Sequence, residues 1–352
     1  MGIIERDADE TARQLETWFT EVAGVEAVAV REVSIPGSTG WSNETVFCEA
    51  TWTRDGEVEH HRLVTRIAPS GYTVFPDDTF DLQYDIMRAL GEHDVPMADV
   101  HWFEHATEWF GQPFWIMSRI DGDIAADAPP YASAGFLFDA SLEDRERAWW
   151  AGIDAMASIH NLPVEQLAIP GLPTPDDPVG ALLDHLERFL GWAEDDRPLD
   201  VARRALEQLR ASAPPAPLEG PALCWGDARF SNLIFRDFAV AAVLDWEMAS
   251  IGDPLLDVGW WLFADDALTT GSGCTRLPGF PGREETAARW SGLTGRSADA
   301  LDWYELAAAL RFTIIMLRMG KLLAEMGFVP DGFAYDNLIS QALEARLGKS
   351  VG

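Results

Sequence analysis

Lysine is almost missing from this 352-residue chain: Lys321 and Lys349 are the only two, and arginine takes every other basic position. Cysteine is scarce as well. Cys48, Cys224 and Cys274 form an odd, widely spaced set without C-x-x-C, which argues against a disulfide framework and suits a reducing, cytoplasmic setting. No apolar run approaches the roughly 18 residues of a membrane span. The acidic opening MGIIERDADETARQ lacks the basic and apolar regions of a secretory signal. Neither G-x-x-x-x-G-K-[ST] nor G-x-G-x-x-G occurs, so P-loop and Rossmann readings lose their main support. Positive charge is short overall: 26 Lys and Arg against 58 Asp and Glu give a formal net charge of −32. That balance argues against nucleic acid or an anionic membrane as partner. It fits a solubilising surface first, and would also favour a cationic ligand.

What the chain does have is enough apolar material for a real core, with 47% hydrophobic residues and 15 Trp in one large or two modest domains. Asp7 to Val22 predicts an amphipathic helix with Leu15, Trp18, Phe19 and Val22 on one stripe. Val28–Val33, Thr45–Trp52 and His61–Ile67 read as strands, the first two joined by a turn containing Gly37, Gly40, Ser42 and Asn43. Phe80 to His93 is helical, with Leu82, Ile86 and Leu90 aligned, and Pro113 to Ile120 is strand-like. A loop rich in Ala, Pro and Gly begins at Ala125. Helices then follow over 143–160, 181–193 and 199–211. Asp253 and Pro254 mark another helix start, and Leu301 to Met319 is a long, mostly apolar helix.

The chemistry concentrates in LCWGDARFSNLIFRDFAVAAVLDWEMASIGDPLLD, residues 223–257. Leu233–Phe235 and Val240–Leu244 are apolar runs separated by Arg236–Ala239, the pattern of a hairpin. With the turn centred between Phe238 and Ala239, Asn232 faces Asp245 at the open end. Opposed residues have Cβ atoms roughly 4.5–5.5 Å apart, near enough for an amide oxygen and a carboxylate to share one small cation. Two oxygen ligands, with water and phosphate completing the shell, is how Mg²⁺ is commonly held for phosphoryl transfer. Asp227, unpaired in the loop before the hairpin, is left to receive a proton.

Asp227-Ala-Arg229-Phe-Ser-Asn232 resembles the catalytic loop D-x-[KR]-x-x-N of the protein kinase-like fold, and Asp245-Trp246-Glu247 resembles its metal-binding D-F-G. The wording WGD…N…LDWE…GDPLLD is similar to the aminoglycoside phosphotransferase family, in particular to the kinase-like domain fused to some acyl-CoA dehydrogenases. The likeness runs from about Val33 to about Arg318. It implies a bilobal α+β fold, with a small antiparallel-sheet lobe over 1–119 and a mainly helical lobe over 120–352. It implies ATP as co-substrate, gripped by the backbone around Gly40, Ser42 and Asn43 and by Arg66, with Met117 and Arg119 at the adenine. Gln83 stands where the family has the Glu that pairs the basic residue. Asp227 becomes the base, Arg229 a γ-phosphate contact, and Asn232 and Asp245 the Mg²⁺ ligands. Trp225 replaces a His, and Asp257 matches a residue that ties down the loop's backbone. The implied activity is transfer of the γ-phosphoryl group to a hydroxyl of a small molecule, either aminoglycoside-like or a hydroxylated metabolite or hydroxyacyl-CoA. A nucleotide-binding pseudokinase is the alternative.

Overall fold

The computed structural model describes residues 6–36, 43–195, 197–217 and 219–347. They fall into two compact units: one holds the chain up to Val74 together with Ala98–Ile120, the other holds Phe75–Met97 together with everything from Asp121.

The first unit opens with α1 (Ala8–Glu21), whose N-cap Asp7 accepts a hydrogen bond from Glu10 N at 2.8 Å. Leu15, Trp18 and Phe19 are buried at helical spacing, whereas Val22, expected on the same stripe, sits at the C-cap and is 50% exposed. Five strands follow: β1 (Glu26–Ser34), β2 (Glu44–Arg54), β3 (Glu57–Ile67), β4 (Val100–Glu104) and β5 (Phe114–Ser118). They pair antiparallel in the order β1-β2-β3-β5-β4. Val46, Cys48, Ala50 and Trp52 alternate along β2 and are buried in one cluster with the stripe of α1. A strand of period two thus meets a helix of period 3.6.

The second unit begins with α2 (Phe80–Leu90), which buries Phe80, Gln83, Ile86, Met87 and Leu90. After β6 (Asp123–Ile124) come α3 (Phe136–Asp139), α4 (Leu142–His160), α5 (Val164–Leu167), α6 (Pro178–Glu194) and α7 (Asp200–Ala211). Lys321 closes the end of α6, donating to the carbonyls of Ala193 at 2.6 Å and Glu194 at 3.1 Å and to Asp195 at 2.7 Å. Then come β7 (Ala222–Cys224), β8 (Leu233–Arg236), β9 (Ala239–Val243) and β10 (Ser250–Gly252). The helices α8 (Leu255–Leu268), α9 (Arg283–Thr294), α10 (Leu301–Glu325) and α11 (Leu338–Arg346) complete the unit.

The hairpin forms where the sequence puts it, with a different register. Asp237 and Phe238 both have positive φ, 50° and 61°, and make a two-residue turn with Arg236 opposite Ala239. A bulge then leaves Ala241 without an opposing residue, so Leu233 faces Val243. Asn232 consequently lies across from Leu244, whose N–H donates to its carbonyl at 2.9 Å, and not across from Asp245. Asp245 is one step further and turns out of the strand with φ 62°.

Helices α8 and α10 form the centre of this unit and are buried on most sides. They approach at Gly259, where an added Cβ would sit 2.8 Å from the carbonyl carbon of Tyr304 and 2.9 Å from its oxygen. In an open helix Gly→Ala would gain up to about 1 kcal/mol. Here the obstacle is backbone and cannot swing aside. Gly259→Ala should therefore lower stability, by about 1–3 kcal/mol, read as a falling urea midpoint; a raised midpoint would refute this packing.

On α6, burial lowers the pKa of His185 to about 4, with Arg311 and Arg188 adding to the effect and Asp77 opposing it. The unfolded chain takes up this proton near the ordinary 6.5, the native chain only near 4. Stability is therefore intact above pH 6.5 and lost as pH falls through that window, by up to about 3 kcal/mol. Replacing His185 by Gln should flatten the pH dependence between 6.5 and 4 relative to wild type in parallel denaturant titrations.

Candidate active site

Two very short strands close the base of the motif-bearing stretch. Ser250 pairs with Cys224 and Gly252 with Ala222, so β7 and β10 hold residues 225–249 as one loop-and-hairpin excursion. Gly226 makes the turn out of β7. Its φ is +94°, and a Cβ there would lie 2.1 Å from the Met248 carbonyl oxygen, so only glycine fits.

The loop's backbone is then fixed by one carboxylate. Asp257, in the first turn of α8 and fully buried, accepts from Trp225 N at 2.6 Å and from Gly226 N at 2.8 Å. His160, at the end of α4, meets the same carboxylate through Nε2 at 2.9 Å. Trp290 Nε1 lies 2.9 Å from His160 Nδ1. An indole N–H can only donate, so Nδ1 is the acceptor and Nε2 carries the hydrogen given to Asp257. The tautomer is thereby assigned, and His160 is a buried prop. Trp225, in the place of the family's His, packs fully buried and sends its indole N–H to the Leu244 carbonyl at 2.7 Å. The indole ties the loop to the strand that leads to Asp245.

Asp227 is not the unpaired residue expected. It is 5% exposed and its carboxylate accepts three side-chain donors: Arg229 Nε at 3.0 Å to each oxygen, Asn232 Nδ2 at 2.7 Å to Oδ2, and Trp260 Nε1 at 2.8 Å to Oδ1. Arg229 also bonds Asp127 through Nη1, while its Nη2 carries no hydrogen bond among the described residues. Burial opposes the charge on Arg229, but Asp227, Asp127 and Asp245 outweigh it and hold the guanidinium above its ordinary pKa. The arginine is thus fastened to Asp227 at one edge.

Asn232 lies in a single 3₁₀ turn, Phe230–Asn232, that leads straight into β8. It gives its amide N–H to the Asp227 carboxylate and also to the Asp227 carbonyl at 3.0 Å, which leaves Oδ1 outside these bonds. Oδ1 and the Asp245 carboxylate are hard oxygen donors of the type Mg²⁺ takes, though not enough to enclose an ion alone. Among the described residues no three His, Cys, Asp or Glu side chains form a metal cage. These two oxygens are of the kind that suits an ion completed by phosphate and water.

In the first unit, Arg66 on β3 lies opposite Thr45 and donates to its hydroxyl at 3.0 Å. Met117 is on β5 opposite Val64. Ser118 N donates to Asp99 O at 2.9 Å and Arg119 N to Arg62 O at 2.8 Å, so these two N–H groups serve the sheet. The Arg119 guanidinium lies over the Phe47 ring at 5.0 Å. Asn43 is buried, and Gly40 and Ser42 lie outside the described residues. Sequence reasoning missed two partners of the Asp227 cluster, Trp260 and Asp127. Trp260 follows Asp257 by three positions on α8, a spacing that puts both on one face and could have signalled it.

A sequence model of the "Phosphotransferase enzyme family" matches residues 35–295. Acyl-CoA dehydrogenase family member 11 of Pongo abelii is 23% identical over 301 residues, which cover 81% of this chain and 37% of that protein. Acyl-CoA dehydrogenase family member 10 of Mus musculus is 27% identical over 207 residues, 56% of this chain and 18% of that one. The chain thus spans well under half the length of these relatives. Among solved structures, a candidate aminoglycoside phosphotransferase from Ralstonia eutropha aligns with TM-score 0.70 and 19% identity, with 95% of each chain covered. A thermostable mutant of aminoglycoside phosphotransferase APH(4)-Ia, in ternary complex with AMP-PNP and hygromycin B, aligns with TM-score 0.58 and 17% identity, over 95% of this chain and 98% of that one. The shared fold is α+β and kinase-like.

Truncating the central clamp should be costly. Asp257→Ala leaves the buried N–H groups of Trp225 and Gly226 without acceptors, at about 1–3 kcal/mol each. An unfolding free energy from urea titration within about 1 kcal/mol of wild type would show that the loop does not hang on this carboxylate.

Proposed function

Since the chain belongs to the phosphotransferase enzyme family, we propose that it moves the γ-phosphoryl group of ATP to a hydroxyl of a small molecule. The observation that carries this reading is the convergence of Arg229, Asn232 and Trp260 on the carboxylate of Asp227. The acceptor's hydroxyl oxygen attacks the γ-phosphorus. A new O–P bond forms, the bond from phosphorus to the β–γ bridging oxygen breaks, and ADP departs with that electron pair. The hydroxyl proton goes to Asp227, whose carboxylate has up to four lone-pair sites and is oriented by its donors.

Arg229 Nη2 is available to the transferring phosphoryl oxygens. Asn232 Oδ1 and Asp245 would hold Mg²⁺, which when bound supplies positive charge on the phosphate oxygens. On the nucleotide side the proposal assigns Arg66 to the phosphates and Met117 to Arg119 to the adenine, with the turn of Gly40, Ser42 and Asn43 over the phosphates. A domain division near 119/120 and a cytoplasmic location belong to the same reading, as does the absence of nucleic acid or membrane partners. For the acceptor, the APH(4)-Ia complex with hygromycin B supports an aminoglycoside-like molecule. The acyl-CoA dehydrogenase relatives support a hydroxylated metabolite or hydroxyacyl-CoA. A second reading, a nucleotide-binding module without turnover, draws on Gln83 standing where a Glu is usual.

Mg²⁺-dependent ATP consumption in the presence of a hydroxyl-bearing acceptor decides between them. Asp227→Ala should lower the rate by about 10²–10⁴-fold while nucleotide binding persists. Chelating the metal should abolish turnover. Equal rates in wild type and variant would leave the binding module standing.

A further inference from the structure

In a chain of net charge −32 a buried arginine with spare donors stands out, and Arg311 on α10 is one. The residue is 5% exposed. Its Nη2 donates to the Met248 carbonyl at 3.1 Å, while Nε and Nη1 are buried and make no hydrogen bond among the described residues. An unsatisfied buried donor is costly, the more so on a charged group, and calls for a partner. The two carboxylates that act on it are committed elsewhere. Asp257 gives its oxygens to Trp225, Gly226 and His160, and Asp227 gives its own to Arg229, Asn232 and Trp260. Both Asp257 and Asp227 act on Arg311 through space, against the lowering effect of burial, yet neither bonds it. His185 and Arg188 on α6 add no negative charge here, since His185 itself feels Arg311 as a like charge.

The spacing to the base is set by one side chain. Trp260 gives its indole N–H to Asp227, and the Arg311 Cζ lies 5.6 Å from the centre of the same ring system. Phe312 stacks on that indole at 5.3 Å. A proton acceptor and a cationic donor set thus meet the same indole, one at its Nε1 edge and the other over its ring.

We propose that Arg311 anchors an anionic group, a carboxylate or a phosphate, of the acceptor molecule whose hydroxyl faces Asp227; this rests on the phosphotransfer reading of that site. Because both groups meet one indole, the acceptor is a short one, with hydroxyl and anion a few bonds apart. The cationic aminoglycosides would find a like charge at this point, so the acceptor class is hydroxy acids or phosphorylated alcohols.

The test is direct binding to the full chain by calorimetry, with 3-hydroxybutyrate, glycerol 3-phosphate and neutral 1,3-butanediol as probes. Wild type should bind one of the anions at least tenfold more tightly than the diol, and which one identifies the anionic group. Arg311→Met should erase that preference. Arg311→Lys, which keeps the charge but not the planar donor set, should retain part of it and guards against loss of fold in the first variant. Equal binding of all three probes by wild type, no anion binding at all, or an undiminished preference in folded Arg311→Met would each overturn the assignment. Because binding is read without turnover, failure of ATP consumption counts against the phosphotransfer reading, and failure of anion preference counts against this one.

Discussion

Everything at the candidate site hangs from the carboxylate of Asp257. Two successive backbone N–H groups, at Trp225 and Gly226, point into the protein and would be unpaired without it. The side chain reaches them from a helix more than thirty positions later in the chain, and its own orientation is set by His160 and, behind that, by Trp290. This chain of hydrogen bonds fastens three helices, α4, α8 and α9, to one loop. Buried networks of this kind rigidify only when every member is satisfied. Here each atom named has its partner, including the imidazole whose tautomer is fixed by an indole on one side and a carboxylate on the other.

From that anchor the Asp227 cluster follows. Once Gly226 is pinned, Asp227 is carried to the side of α8 where Trp260 can meet it, and the short helical turn brings Asn232 back onto the same carboxylate. Arg229 closes the arrangement by bridging to Asp127. The result is a carboxylate held by donors in several directions, the kind of pre-set geometry that positional catalysis requires. The aromatic in place of a histidine at position 225 leaves this intact. The indole fills the space and finds an acceptor on the neighbouring strand, a job an imidazole in that position could share.

Much of this was legible in the residues. The alternation in β2, the stripe of α1, the apolar length of α10 and the two strands of the hairpin all carry periodic signals that packing simply enforces. The hairpin register was not legible, for a local reason. Asp237 and Phe238 adopt positive φ without a glycine to announce it, and the bulge at Ala241 leaves no mark in a run of small apolar residues. The paired strands β7 and β10 have three residues each, too few to show a period. The bridge from Arg229 to Asp127 joins positions 102 apart, and nothing local in either segment points to the other. A motif fixes which residues matter, while the partners that orient them arrive through tertiary contacts.

The scarcity of lysine has a practical side once the position of Lys321 is known. Its ammonium is already engaged by two carbonyls and a carboxylate at the end of α6. An electrophile aimed at amines would have to break that cap before reacting there. Acylation or coupling to an aldehyde at Lys321 would therefore loosen the end of α6, so amine chemistry at this one lysine reports on the integrity of that cap.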